Sequence, residues 1–214
     1  MYFTRIGTAV LLNATNYTLI DISNIPVSSI GLQCRTAVDV YLATTPTPSQ
    51  AYWTLKASYV ETFDLNGLPI GAKRSANLVT NGTFTGAITG WTIGAAWQYT
   101  TGTAEKFQAG TTTLSQATCL PTTGNIYEVV YTIAGYSTDT VRASFGGVNG
   151  VARGADGTFK EYVKATDSTS ALTFTPTNTN RCTIDDVAVY TLTGNMLFAK
   201  AALGTPYLEV SYLI

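Results

Sequence analysis

The sequence predicts an all-β protein in which a small β-sandwich is split by an inserted jelly-roll β-sandwich domain. Three observations carry this. Short β-prone runs recur between clusters of Gly, Pro, Asn, Asp and Ser, which is the grammar of sandwiches and jelly rolls. The composition is 45% apolar and only 12% charged, against roughly 25% charged in ordinary domains, and it is rich in the Thr, Val and Tyr that suit half-buried pleated surfaces. The closing stretch, 195–214, is too short to fold alone and too apolar to be left in water. It is expected to complete a sheet begun near the start of the chain. The expected division is 1–75 with 194–214 as one discontinuous sandwich and 76–193 as the insert.

The elements follow in order. Runs 17–22 (YTLIDI), 30–34 (IGLQC) and 37–42 (AVDVYL) alternate apolar and polar residues and read as strands. Residues 44–49 form a loop, because Pro46 and Pro48 have fixed φ and Pro has no amide to give a central strand. Strands resume at 52–55 (YWTL) and 61–65 (ETFDL), and Asn66-Gly67-Leu68-Pro69 reads as a turn. The texture then becomes Thr- and Gly-rich. The clearest strands there are 127–133 (YEVVYTI), 141–145 (VRASF), 158–164 (TFKEYVK), 171–174 (ALTF) and 183–190 (TIDDVAVY). Gly146-Gly147-Val148-Asn149-Gly150 reads as a hairpin turn, since it lacks the Lys and helix of a phosphate cradle. A short helix candidate covers 196–202, with strand readings competing. The last run, 207–214 (YLEVSYLI), puts Leu208, Val210 and Tyr212 on one face. An unpaired apolar strand is an aggregation hazard, so pairing with the opening segment is the economical solution.

Composition also excludes functions. A formal net charge of −1 offers no basic face for phosphates, so nucleic acid is not an expected partner. There is no charged start followed by an apolar stretch, and no run approaches about 18 apolar residues. Neither standard export nor a membrane partner is expected. The three cysteines Cys34, Cys119 and Cys182 are widely spaced, which signals buried thiols rather than a disulfide framework or a zinc site. The chain has no histidine, so the commonest general base and activator of Ser or Cys nucleophiles is missing. The protein is expected not to be an enzyme.

The insert resembles the jelly-roll carbohydrate-binding modules that accompany glycan-degrading enzymes. The carrying segments are 77–84 (NLVTNGTF), Gly90-Trp91, 127–131, 157–162 and 184–189. In that family a carboxylate after the opening Phe helps hold a structural calcium; here the position is Thr85, leaving Asp185 and Asp186 as candidate oxygen ligands. No other cofactor is implied. The flanking frame resembles small β-sandwich domains of tailed-bacteriophage virion proteins, through residues 31–43, 52–55, 63–67, 197–201 and 204–210. In uninterrupted relatives the equivalent of Lys73 runs almost directly into that of Leu197.

Trp91, Trp97 and Tyr99 are the candidate glycan-binding residues, because flat apolar ring faces fit the C–H faces of sugars. Core packing is the competing use, above all for Trp91, since large aromatics are highly buried on average. Tyr136, Phe145 and Arg153 are weaker groove candidates. Asp185 and Asp186 are neighbours on one strand, so simple alternation turns them to opposite faces and excludes a catalytic carboxylate pair. The two resemblances together imply a virion structural protein, a capsid decoration or accessory component assembled in the host cytoplasm. Its expected partners are other virion proteins and copies of itself, with a trimer as the candidate stoichiometry and a surface glycan as a candidate ligand. The alternative is a glycan-binding adhesin working through the insert.

Overall fold

The computed structural model describes residues 8–20, 29–34, 36–46, 53–58, 60–64 and 72–213. The protein is all-β, with four antiparallel sheets and no helix among the described residues. None of the described residues forms a helix long and apolar enough to cross a membrane. The chain divides into two compact units, Met1–Arg74 with Leu192–Ile214, and Ser75–Thr191. The expected turn at 66–69 and the Pro48 end of the 44–49 loop lie outside the described residues.

The chain opens with β1 (Thr8–Leu11), β2 (Thr18–Leu19), β3 (Ser29–Cys34), β4 (Val40–Ala43), β5 (Trp53–Leu55), β6 (Val60–Asp64) and β7 (Lys73–Arg74). Ten strands follow: β8 (Thr92–Ile93), β9 (Trp97–Thr100), β10 (Thr103–Lys106), β11 (Leu114–Gln116), β12 (Ile126–Thr138), β13 (Val141–Phe145), β14 (Val148–Asn149), β15 (Gly157–Lys164), β16 (Leu172–Pro176) and β17 (Arg181–Thr193). The closing strands are β18 (Phe198–Ala201) and β19 (Tyr207–Leu213).

In the discontinuous unit the sheet orders are β1-β19-β3-β6 and β2-β18-β4-β5. β19 lies between two strands of the first half, pairing Thr8↔Val210 on one side and Leu208↔Cys34 on the other. Its alternation sends Leu208 and Val210 into the core and leaves Tyr207 exposed. The core joins Ile30, Leu32, Cys34, Leu208 and Val210 of one sheet to Val40, Leu42, Leu55, Ala199 and Ala201 of the other. The helix candidate at 196–202 is therefore strand β18, paired with both β2 and β4 and burying Phe198, Ala199 and Ala201. So short a segment cannot nucleate a stable helix by itself, and tertiary pairing overrides the helix propensity of its alanines. β7 pairs with the end of β17, Arg74 opposite Leu192 and Lys73 opposite Thr193.

The inserted unit is a two-sheet sandwich. One sheet runs β15-β12-β17-β10-β9 and the other β14-β13-β16-β11-β8. Tyr127, Val129, Tyr131 and Ile133 of β12 alternate inward and meet Val141, Ala143 and Phe145 of β13 and Leu172 and Phe174 of β16. Gly146 and Gly147, at φ 61° and 75°, make the two-residue turn between Phe145 and Val148. Positive φ at both central residues is what a type I′ hairpin requires.

β17 carries a bulge. Cys182 and Ile184 face the core, yet so do Val187 and Val189, and an uninterrupted strand would have kept to even positions. The extra residue is Asp186, at φ 49°, which shifts the phase by one. The shift lets the Val187 amide donate to Gly82 O at 2.9 Å.

Candidate functional site

The aromatic candidates separate. Trp91 is 8% and Trp97 3% exposed, and both belong to the core of the inserted unit. The Trp91 indole packs on Phe84 at 5.2 Å and donates from Nε1 to Asn81 O at 3.2 Å. Trp97 Nε1 donates to Thr112 O at 2.7 Å. Each ring is thus buried with its polar edge satisfied, the usual state of a core tryptophan, and neither presents a face to a sugar. Tyr99 is 37% exposed on edge strand β9, opposite Ala104. One exposed ring is not a stacking platform. Phe145 is also core, edge-on to Tyr127 at 5.0 Å.

The bulge modifies the expectation for the two aspartates. Asp185 is partly buried and Asp186 exposed, and Asp185 Oδ1 accepts the Asp186 amide at 2.7 Å. Burial, ahead of the repulsion from Asp186, raises the Asp185 carboxyl above the ordinary carboxylate range. Calcium takes six to eight oxygens, several of them carboxylate. Among the described residues no three of His, Cys, Asp and Glu come close enough to hold a metal ion. The carbonyl of Gly82 is spent on Val187, and Thr83 and Thr85 hydroxyls bond each other at 2.9 Å. This donor set does not make a calcium site.

All three cysteines are free and buried. Burial pushes the thiols of Cys119 and Cys182 up to about 12, so neither holds a thiolate near neutrality.

A different site lies on the outer face of the sheet containing β13 and β16. Outward alternation on β13 exposes Arg142 and half-exposes Ser144, and on β16 it exposes Thr175. Arg142 sits directly opposite Thr175. With Thr140, Asn149, Ala152, Pro176 and Thr177 they line an open groove of about 210 Å³. That is smaller than the roughly 300–1,000 Å³ of a pocket that encloses a drug-sized ligand; it takes one small polar unit. At one end the Thr177 hydroxyl accepts the Thr140 amide at 2.9 Å and donates to Thr140 O at 3.0 Å. At the other, Ser144 Oγ donates to Asn149 Oδ1 at 2.9 Å. Beyond its backbone pairing with Thr175, the Arg142 guanidinium has no hydrogen-bond or ion-pair partner among the described residues, and it is the one charged group lining the groove.

The wall formed by Asn149 and Ala152 is held by a buried carboxylate from the opposite sheet. Glu161 on β15 is almost fully buried. Its Oε1 accepts from Tyr131 Oη at 2.8 Å and from Arg153 Nε and Nη2, each at 3.2 Å. Its Oε2 accepts the Val151 amide at 3.1 Å. Gly150 permits this approach, because a Cβ there would stand 1.9 Å from Glu161 Oε2. Arg153 lies over the Phe159 ring at 4.7 Å and forms a backbone bridge to Val141. Burial, then the adjoining carboxylate charge, pushes the Tyr131 phenol far above its ordinary value, so it remains a donor at any physiological pH. Arg153, a groove candidate in the sequence, is therefore a wall support tied inward. Neither Arg142 nor Asn149, which line the groove, was read as a site residue; their signal was the plain alternation of VRASF and the return strand, Val148–Asn149, that follows the Gly146-Gly147 turn.

No protein-family model matches the sequence, and no curated protein is similar to it. Among solved structures, the stem and receptor-binding domain of the spike protein P1 from bacteriophage PM2 aligns over 99% of this chain and 98% of its own, at 9% identity and a TM-score of 0.22. A likeness at that score assigns neither fold nor role.

Proposed function

We propose that this chain is a non-enzymatic structural protein of a bacteriophage particle, a capsid decoration or accessory protein that anchors through its discontinuous sandwich and displays the inserted jelly roll. The observation that carries the anchor-and-display part is the join. Arg74 and Leu192 are directly opposed on neighbouring strands, so the whole inserted unit stands where a hairpin turn would be. The anchoring sandwich has its own two sheets and its own core, and insertion at a turn is the way a fold gains a module without losing itself. The phage setting rests on the resemblance of the flanking segments to tailed-phage virion domains. The non-enzymatic reading is supported by the lack of histidine and by the deep burial of both perturbed thiols. Other virion proteins and further copies of the chain, a trimer in the first instance, are the partners. Localisation in electron micrographs of particles with an antibody to the insert tests the reading. Label on the particle surface is expected, and recovery only as free monomer beside unlabelled particles sinks it.

A second reading, recognition of a glycan by the insert, is favoured by one observation: the donor-bearing groove around Arg142 on an outer sheet face. Binding of the full chain to a glycan array tests it: recognition of at least one sugar, weakened by Arg142→Ala, is the expected outcome, and no binding to any sugar sinks it.

A further inference from the structure

We infer that the groove is selective for an acidic sugar, a glycan unit bearing a carboxylate or sulfate, with Arg142 reading the anionic group and the neighbouring hydroxyl and amide side chains reading the sugar. This rests on the glycan-binding reading above and names its ligand class.

The charge argument comes first. The chain has a formal net charge of −1, yet the groove is lined by one cation and no carboxylate. The other arginines with described partners are used internally: Arg153 on Glu161 and Arg181 on the carbonyls of Thr179 and Asn180. Arg142 alone of the three is left with its planar fork of donors unspent beside a depression. That fork matches carboxylate and sulfate oxygens in a bidentate way.

The neutral lining decides between a sugar and a bare ion. Asn149 spends its Oδ1 on Ser144 and keeps its amide nitrogen as a donor. Thr175 stands directly across from Arg142 on the next strand. Hydroxyl and amide groups on both sides of a cation suit a ligand that carries hydroxyls around its charge. Stacking is not the mode, because no aromatic side chain lines the groove. The depression is also built in advance. Its far wall is fixed by the Gly150 and Val151 contacts to Glu161, so little ordering has to occur on binding, and preorganisation is where affinity is most easily kept.

The test is calorimetric titration of the full chain with three oligosaccharides of one length, carrying a carboxylate, a sulfate or no charge, and with an acidic peptide. Affinity for one or both anionic sugars at least about tenfold above the neutral one is expected. Arg142→Ala should remove that preference, and Arg142→Lys should restore part of it, since Lys keeps the charge without the fork. Arg142 is exposed, so both variants should keep the wild-type near-ultraviolet circular dichroism. Equal binding of neutral and anionic sugars overturns the charge selectivity while leaving the glycan reading standing. No sugar bound at all overturns both. Acidic peptide bound as tightly as the anionic sugar overturns the sugar assignment.

Discussion

Replacing Glu161 by alanine removes the hydrogen-bonded contact set that ties β15 to the segment walling the groove, leaving the stacking of Arg153 on Phe159. Four donors lose an acceptor: Tyr131 Oη, the Val151 amide, and Arg153 Nε and Nη2. Breaking a buried pair by deleting one partner costs about 3–5 kcal/mol, mostly because the other charge stays behind. Here Arg153 retains 23% side-chain exposure and its contact with Phe159, which places the loss at the lower end, about 3 kcal/mol. Glu161→Gln keeps one acceptor and should cost about 1–2 kcal/mol. Urea unfolding followed by indole fluorescence is a suitable assay, since Trp91 and Trp97 both lie in the core of this unit. A double-mutant cycle with Tyr131→Phe makes it decisive. The phenylalanine change should cost about 1 kcal/mol in the wild type and close to nothing once Glu161 is gone. An unshifted urea midpoint for Glu161→Ala, or an identical Tyr131→Phe cost in both backgrounds, would refute the wall as described.

Gly82→Ala should destabilise the inserted unit by more than about 2 kcal/mol in the same assay, because the new Cβ would stand 1.9 Å from Val187 O at the bulge. Alkylation of the native chain should stay slow at Cys119 and Cys182 as pH rises from 7 to about 10 and become fast in urea, where thiols ionise near 8.5; mass spectrometry reads it, and rapid native labelling counts against their burial. Both thiols have a folded pKa raised to about 12. Their contribution to stability is therefore complete below the unfolded value and is lost as pH climbs from there toward the folded one. Replacing residues 75–191 by Asn-Gly should leave a folded sandwich with a type I′ hairpin joining Arg74 to Leu192. A molten product by near-ultraviolet circular dichroism would show that the discontinuous unit depends on its insert.

Much of the fold was legible because its longer strands carry β-prone runs whose apolar residues alternate over most of their length. VRASF coincides with β13, and TFKEYVK, YEVVYTI and TIDDVAVY fall inside longer strands. Strands β1, β7 and β14 and the run β8 to β11 were left unread; those of the run are two to four residues long and built from Thr, Gln, Glu and Lys as much as from apolar residues. In the run β8 to β11, β10 and β11 are strands because they pair with β17 and β16, and β9 and β8 because they pair in turn with β10 and β11, which periodicity cannot convey. The bulge at Asp186 was invisible for the same reason: its positive φ answers to Gly82 on another segment. For the site, aromatic chemistry drew attention to Trp91 and Trp97, whose polar edges find carbonyls inside the core. The groove depends on which alternating face has a neighbour to wall it. Arg142 and Thr175 were each readable as outward-facing, but their opposition across two strands was not.

The position of β19 between β1 and β3 has a consequence for how the chain is made. Tyr207–Leu213 leaves the ribosome only after the whole of Ser75–Thr191, and domains tend to fold as units during synthesis. The module in the middle can close while β1 and β3 still wait with a strand-wide gap between them. In that interval their edges are open to any other extended chain. A neighbouring nascent copy could fill the gap as readily as the chain's own tail, so a strand-exchanged dimer is the characteristic error to look for when this protein is crowded on polysomes.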